Sequence, residues 1–100
     1  MTTTEPIAPL AGIRVLHCGG SWAGRVASLL LAEQGADVIE IQRPGRADAP
    51  EDALLGRGKT LLQCDLADAR QVAQALQLAM EADIVVDSLG AGRAVRFGLD

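Results

Sequence analysis

The chain has 100 residues, of which 49% are hydrophobic and 22% are charged, and its formal net charge is −4 at pH 7. This length allows one folding unit at most, and the composition excludes a disordered polyelectrolyte. The negative charge removes the general field that draws proteins to nucleic acids or anionic membranes, so we expect neither partner, and any anion must be bound locally.

The first third of the chain has the pattern of a strand, a glycine turn and a helix. Residues 1–11 are polar and aperiodic, which predicts a flexible lead-in with Leu10 tucked under the first strand. Residues 13–16 form a β-branched apolar run that predicts this strand. The helix formers at 22–34 stop at Gly35, which is typical of a helix C-terminus.

A second predicted strand at 37–41 completes a βαβ unit. Such a crossover makes the two strands parallel neighbours, and ligands bind off the carboxyl ends of the strands in sheets of this kind. The strand exits at 19–22 and 42–45 therefore share the edge where a ligand is expected.

The second half predicts a loop at 46–58 with one helical turn at 51–55, a strand at 59–66, a helix at 69–82 and a strand at 83–87. Asp65 or Asp68 is suited to cap the helix. Its spacing places four apolar side chains on the face towards the sheet, namely Val72, Leu76, Ala79 and Met80. The last strand lacks polar alternation, which predicts burial on both faces. The fold class is α/β, a Rossmann-like open parallel sheet with helices packed on it.

Two glycine motifs resemble nucleotide-binding loops. Gly19, Ser21 and Gly24 nearly match the dinucleotide fingerprint, with Glu40 at the position of its ribose-binding acid, but serine replaces the middle glycine. A tight turn is the favoured interpretation. The sequence around Lys59 resembles the end of a phosphate-binding P-loop, but a strand and not a helix is predicted after it, so we reject that motif.

The histidine, the cysteines and the apolar runs indicate no catalytic pair, metal site or membrane span. His17 and Cys18 are adjacent in a strand and point to opposite faces. Cys18 and Cys64 are best explained as buried free thiols of a reducing compartment, and no metal site is predicted. The start lacks a basic segment before an apolar run, and no apolar run is long enough to span a membrane, so we expect a cytoplasmic protein.

Several separated segments resemble the opening of the family III CoA-transferases, a group that includes formyl-CoA and carnitine-CoA transferases and the related 2-methylacyl-CoA racemases. The similar segments are residues 9–16, 23–24, 31–45, 57–60, 65–66, 82–86 and 96–100. The resemblance implies that residues 12–100 form the Rossmann-like, CoA-binding N-terminal part of a larger transferase domain. It also implies acyl-CoA and carboxylate substrates, and a homodimer in the full-length protein.

By position, the resemblance assigns Arg43, Lys59 and Arg96 to the nucleotide and phosphate end of CoA. It assigns Ser21, Trp22 and Ala23 to the acyl-thioester site. All three cations are expected in loops that follow strands. Arginine suits this role because its guanidinium binds a phosphate in bidentate fashion.

The resemblance assigns no catalytic residue to this chain, because the family's nucleophilic aspartate lies downstream of the similar region. The chain alone is therefore not expected to be catalytically competent. A non-catalytic CoA-binding, nucleotide-binding or scaffold module remains an alternative, since the family commonly has other residues at His17, Gly19, Gly20 and Arg25. The racemase branch is a second alternative.

Overall fold

The structure, a computed structural model, describes residues 8–45 and 50–87. They form a four-stranded, all-parallel sheet with the strand order β3-β2-β1-β4. The elements in chain order are β1 (Arg14–Cys18), α1 (Trp22–Glu33), β2 (Asp37–Gln42), α2 (Asp52–Leu55), β3 (Lys59–Gln63), α3 (Ala69–Glu81) and β4 (Ile84–Asp87). The predicted α/β class and the predicted parallel sheet are confirmed.

The βαβ unit forms where the sequence predicts it, and local signals explain its bounds. The Ser21 side chain caps α1 by accepting a 3.1 Å hydrogen bond from the Gly24 backbone N–H. Gly35 follows α1 with a φ of +98°, a left-handed conformation that glycine adopts without strain. Leu10 packs against the apolar cluster between α1 and the sheet, as expected, and its N–H donates to the Gln34 carbonyl at 2.9 Å.

The second half follows the prediction except at the end of β3, at Met80 and in the burial of β4. β3 ends at Gln63, before the predicted limit at 66. Asp68, one of the two predicted caps, caps α3 by accepting from the Arg70 N–H at 2.9 Å. Met80 is 81% exposed, so its placement on the buried face is wrong, whereas Leu76 and Ala79 do pack on the core around Ala75.

β4 differs from its prediction in burial. Ile84 and Val85 are each 38% exposed, so the expected burial on both faces is wrong. The reason is topological, because β4 is an edge strand that pairs with β1 alone among the described strands. Composition reveals an apolar strand but not its place in the sheet.

The two faces of the sheet differ in chemistry. Towards α3 lies an apolar cluster of Leu16, Cys18, Ile41, Cys64 and Ala75. Towards α1, Val15 and Val38 are followed along their strands by His17 and Glu40, which point to the same side because side chains alternate. A buried charged layer therefore lies between α1 and the sheet.

The strand order also identifies the edge of the sheet at which a ligand is expected. The chain moves from β1 through β2 to β3 in one direction, and β4 then adds on the other side of β1. This reversal is a topological switch point, and open parallel sheets bind ligands beside the carboxyl ends of the strands at such a point. Here it lies where α1 begins.

Candidate functional site

Four of the predicted site residues lie at the carboxyl edge of the sheet. Ser21, Trp22 and Ala23 are exposed at the start of α1, just after β1, and Trp22 is 61% exposed. Arg43 is exposed directly after β2, the neighbour of β1 in the sheet. Arg43 forms no hydrogen bond or ion pair with another described residue, so its guanidinium is available to an anion.

Lys59 lies elsewhere, and the expectation that it follows a strand is wrong. It is the first residue of β3 and pairs in register with Val38, near the amino end of β2. Its ammonium is buried and contacts Glu40 instead of solvent. Arg96 lies outside the described residues.

Glu40 is the centre of a buried set of charged and polar side chains, which we call the Glu40 cluster: Glu40, Lys59, Arg25, His17, Ser28 and Asp52. Lys59 Nζ donates to Glu40 Oε1 at 2.8 Å, and Arg25 Nε donates to Glu40 Oε2 at 3.2 Å. His17 Nδ1 lies 3.2 Å from Glu40 Oε1 and 3.1 Å from Ser28 Oγ. The carboxylate therefore has both cations and an imidazole as partners.

Arg25 extends the cluster to α2. Its Nη1 donates to Asp52 Oδ1 at 2.7 Å, and its backbone carbonyl accepts from Lys59 Nζ at 3.0 Å. Two cations and two carboxylates thus balance within one layer. The Arg25 Nη2 nitrogen is buried and has no hydrogen-bond partner in the described part of the chain.

The cluster controls the protonation of Glu40. Burial by itself would raise the pKa of Glu40, but hydrogen bonds from His17, Lys59 and Gln42 and the positive charge of Lys59 outweigh that penalty. The pKa of Glu40 is held well below its usual range. Glu40 is therefore an ionised structural group, and it is too deeply buried to bind a ribose.

Sequence reasoning missed this cluster because its members are far apart in the chain. Lys59 is 19 residues from Glu40, and Arg25 is 15 residues from it. One signal was available. Glu40 stands between Ile39 and Ile41 in a strand predicted to be buried, and an acid in such a run needs a cationic partner.

The other motif interpretations agree with the structure. A strand follows Gly58, which confirms the rejection of a P-loop at Lys59. Cys18 and Cys64 are buried and form no disulfide with each other, as expected. Cys18 faces α3, whereas His17 lies in the Glu40 cluster on the other face, so the two cannot act as a pair.

A cavity of about 210 Å³ lies at the opposite, amino edge of the sheet. It is lined by the starts of β1 and β2 and the end of α3, including Arg14, Asp37 and Glu81. It is therefore separate from the carboxyl edge that holds residues 21–23 and Arg43. Within residues 8–45 and 50–87, no three His, Cys, Asp or Glu side chains are placed to hold a metal ion.

No helix in the described part of the chain is long and apolar enough to cross a membrane. The helices lie on the sheet and serve to position the edge described above. The carboxyl edge is the candidate ligand site, and the Glu40 cluster lies beneath it.

Comparison with known proteins identifies close relatives of this arrangement. The chain is 38% identical over 94 residues to a CoA-transferase/lyase, DddD, of Marinomonas sp. strain MWYL1, covering 92% of this chain and 11% of the relative. It is 33% identical to the alpha subunit of a succinyl-CoA–L-malate CoA-transferase of Chloroflexus aurantiacus, covering 97% of this chain and 26% of the relative.

A solved structure shows the same fold. The crystal structure of a hypothetical protein from Mycobacterium tuberculosis superimposes with a TM-score of 0.81 and 34% identity, over 95% of this chain and 29% of that protein. The chain thus spans less than a third of the length of each of these three relatives. The profile of CoA-transferase family III matches residues 10–100, and the chain belongs to that family.

Proposed function

We propose that this chain is the CoA-binding part of a family III CoA-transferase that moves CoA between carboxylic acids. The acyl thioester would lie at Ser21, Trp22 and Ala23, and the phosphate and nucleotide end of CoA would reach Arg43. Arg96 is proposed to assist at the same end. Family membership supports the activity, and the fold supports the location.

The observation that carries the proposal is the shared edge of β1 and β2. Residues 21–23 and Arg43 are exposed beside the carboxyl ends of adjacent parallel strands, next to the topological switch point. An acidic chain needs positioned donors to hold a polyanionic cofactor. Arg43 has no partner among residues 8–45 and 50–87, and its guanidinium supplies a bidentate donor there.

Lys59 has a different place in the proposal. To contact CoA, its ammonium would have to leave both Glu40 and the Arg25 carbonyl, which bind it now. We therefore propose that Lys59 contributes to CoA binding only by stabilising the layer under the edge. The assignment of direct contact made by resemblance stays a prediction for Arg43 and Arg96.

The proposed reaction is transfer by nucleophilic catalysis. A carboxylate of the enzyme attacks the acyl-CoA carbonyl carbon, the carbon–sulfur bond breaks, and CoA leaves as a thiolate while an acyl anhydride forms. The CoA must stay bound between the two half-reactions. We propose that this chain holds CoA during that interval. No nucleophile is assigned to the chain. The chain alone should therefore exchange no CoA between acyl-CoA donors and carboxylates.

The proposal extends to the full-length protein, which we place in the cytoplasm as a homodimer. Its substrates would be acyl-CoA and carboxylate small molecules. The names of the relatives above, both CoA-transferases, favour transfer over racemisation.

Calorimetric titration of CoA into the wild type and into Arg43→Ala at low salt tests the proposal. A hydrogen bond to a charged group contributes about 1.5 to 3 kcal/mol. Loss of Arg43 should therefore weaken binding by about ten- to a hundred-fold. Screening should reduce the difference as ionic strength rises.

Arg14→Ala is the matched control, because Arg14 is an exposed arginine at the start of β1, on the opposite, amino edge of the sheet. It should leave CoA affinity within about two-fold of the wild type, by the small effect of distant exposed charges. Equal weakening by both variants would mean that net charge alone matters and that the edge is not the site. Absence of CoA binding by the wild type would refute the proposal.

A further inference from the structure

Arg25 links three elements of the fold, although no sequence motif includes it. It lies in the first turn of α1, where its N–H donates to the Ser21 carbonyl at 3.0 Å. Its side chain is only 4% exposed. The guanidinium points away from solvent and binds two carboxylates of different elements, Glu40 of β2 and Asp52 of α2.

The two carboxylates stand on either side of Arg43 in the sequence. Glu40 lies within β2 and precedes Arg43 by three residues, and Asp52 is the first residue of α2, the next described element after Arg43. One guanidinium thus holds both elements against the helix turn that follows Ser21, Trp22 and Ala23. Arg25 therefore links the two halves of the proposed CoA edge in addition to the pairing of β1 with β2.

We propose that Arg25 is the positioning residue of the CoA edge, fixing residues 21–23 relative to Arg43. The inference rests on the proposed function. Arginine suits the task because its planar fork donates in two directions at once, through Nε and Nη1, whereas a lysine ammonium is a point charge on a flexible stem. Misplacement of binding groups by as little as about 1 Å can cost a large factor in activity.

A purely structural ion pair makes a different prediction. If Arg25 only stabilised the fold, then releasing Asp52 would lower the melting temperature without altering the carboxyl edge. Positioning predicts that the edge changes even when the fold is intact. The experiment must therefore report on stability and on edge geometry separately.

Asp52→Asn is the main variant, because it removes the charge on α2 and keeps the size of the side chain. Glu51→Gln is the matched control, since Glu51 is the adjacent acid, is exposed and makes no side-chain capping bond. Arg25→Lys is a second variant that retains the buried positive charge but not the two-way fork. Melting temperature, nitrogen–proton NMR spectra and CoA titration are recorded for all three.

Trp22 is the only tryptophan, so its indole resonance reports directly on the start of α1. Asp52→Asn should shift the Trp22 indole and Arg43 Nε resonances and weaken CoA binding by about five- to ten-fold, as loss of a positioning contact does. Glu51→Gln should do neither. Arg25→Lys should weaken CoA binding at least as much as Asp52→Asn.

Unchanged Trp22 and Arg43 resonances in a folded Asp52→Asn protein would overturn the inference, and so would CoA affinity equal to that of Glu51→Gln. Failure of the proposed function looks different. In that case the wild type itself binds no CoA. The Trp22 and Arg43 resonances of Asp52→Asn still show whether Arg25 and Asp52 determine the geometry of the carboxyl edge. If Arg25→Lys does not fold, Asp52→Asn decides the matter alone.

Discussion

Lys59 Nζ lies 2.8 Å from Glu40 Oε1, and the exposed fractions of the two side chains are 0% and 2%. Lys59 is the only lysine of the chain, and its ammonium links β3 to β2 below the surface. A buried ammonium without a partner would be very costly. The ion pair therefore accounts for the burial of both charges in the layer between α1 and the sheet.

Glu40→Gln should destabilise the protein by about 3 to 5 kcal/mol, because it leaves the charges of Lys59 and Arg25 without their shared carboxylate. The free energy of unfolding, measured in urea, gives the value. The double variant Glu40→Gln with Lys59→Met should lose at least about 1 kcal/mol less than the sum of the single variants, which is the coupling expected of contacting residues. Additive losses would show that the two residues do not interact.

Stability should fall in acid through Glu40. Its pKa in the folded state is held below that of the unfolded chain, so its contribution is fully present above the unfolded value, about 4.3 for Glu. That contribution is lost as the pH falls further and protonation favours the unfolded chain. Urea unfolding of the wild type and of Glu40→Gln should differ most near neutral pH and converge in strong acid. A difference that does not depend on pH would contradict the assignment.

Both thiols should be unreactive in the native protein. Burial, followed by the charge of Asp87 and by Cys64, raises the pKa of Cys18 to about 11. Burial and the charges of Asp65 and Asp68 also raise the pKa of Cys64. Since the thiolate is the reacting form, a thiol reagent at mildly alkaline pH should label the folded protein slowly and the denatured protein fast. Rapid labelling of the folded protein would contradict the burial of the thiols.

Gly35→Ala should destabilise the protein by more than about 1 kcal/mol, since a left-handed backbone costs a non-glycine residue about 1 to 2 kcal/mol. Its φ is +98°, and a Cβ there would lie 2.6 Å from the Ala8 Cβ atom. Gly20→Ala is the control, because a Cβ at Gly20 meets nothing within 4 Å. Thermal unfolding of both variants tests the difference, and equal melting temperatures would refute it.

Local signals made the fold largely predictable. The glycine after α1 and the caps at Ser21 and Asp68 are short-range devices, and a few neighbouring residues determine each of them. The parallel arrangement of β1 and β2 followed from their connecting helix. The edge position of β4 did not, because strand order depends on contacts between distant segments.

The candidate site was also predictable only where local sequence decides the position of a residue. Arg43 and residues 21–23 lie at the carboxyl edge because each directly follows a strand. Lys59 could not be placed from sequence, since its position is decided by Glu40, 19 residues away. No sequence pattern distinguishes Arg25 from other charged residues of a helix, although in the structure it links α1, β2 and α2.

The chemical difference between the two faces of the sheet restricts the register in which β2 can pair with β1. Shifting β2 by one residue against β1 would turn Glu40 from the charged layer into the apolar cluster that contains Leu16 and Ile41. There the carboxylate would be buried without Arg25, Lys59 or His17. A misaligned sheet would then contain an unpaired buried charge, so the Glu40 cluster favours the native register over one shifted by a residue.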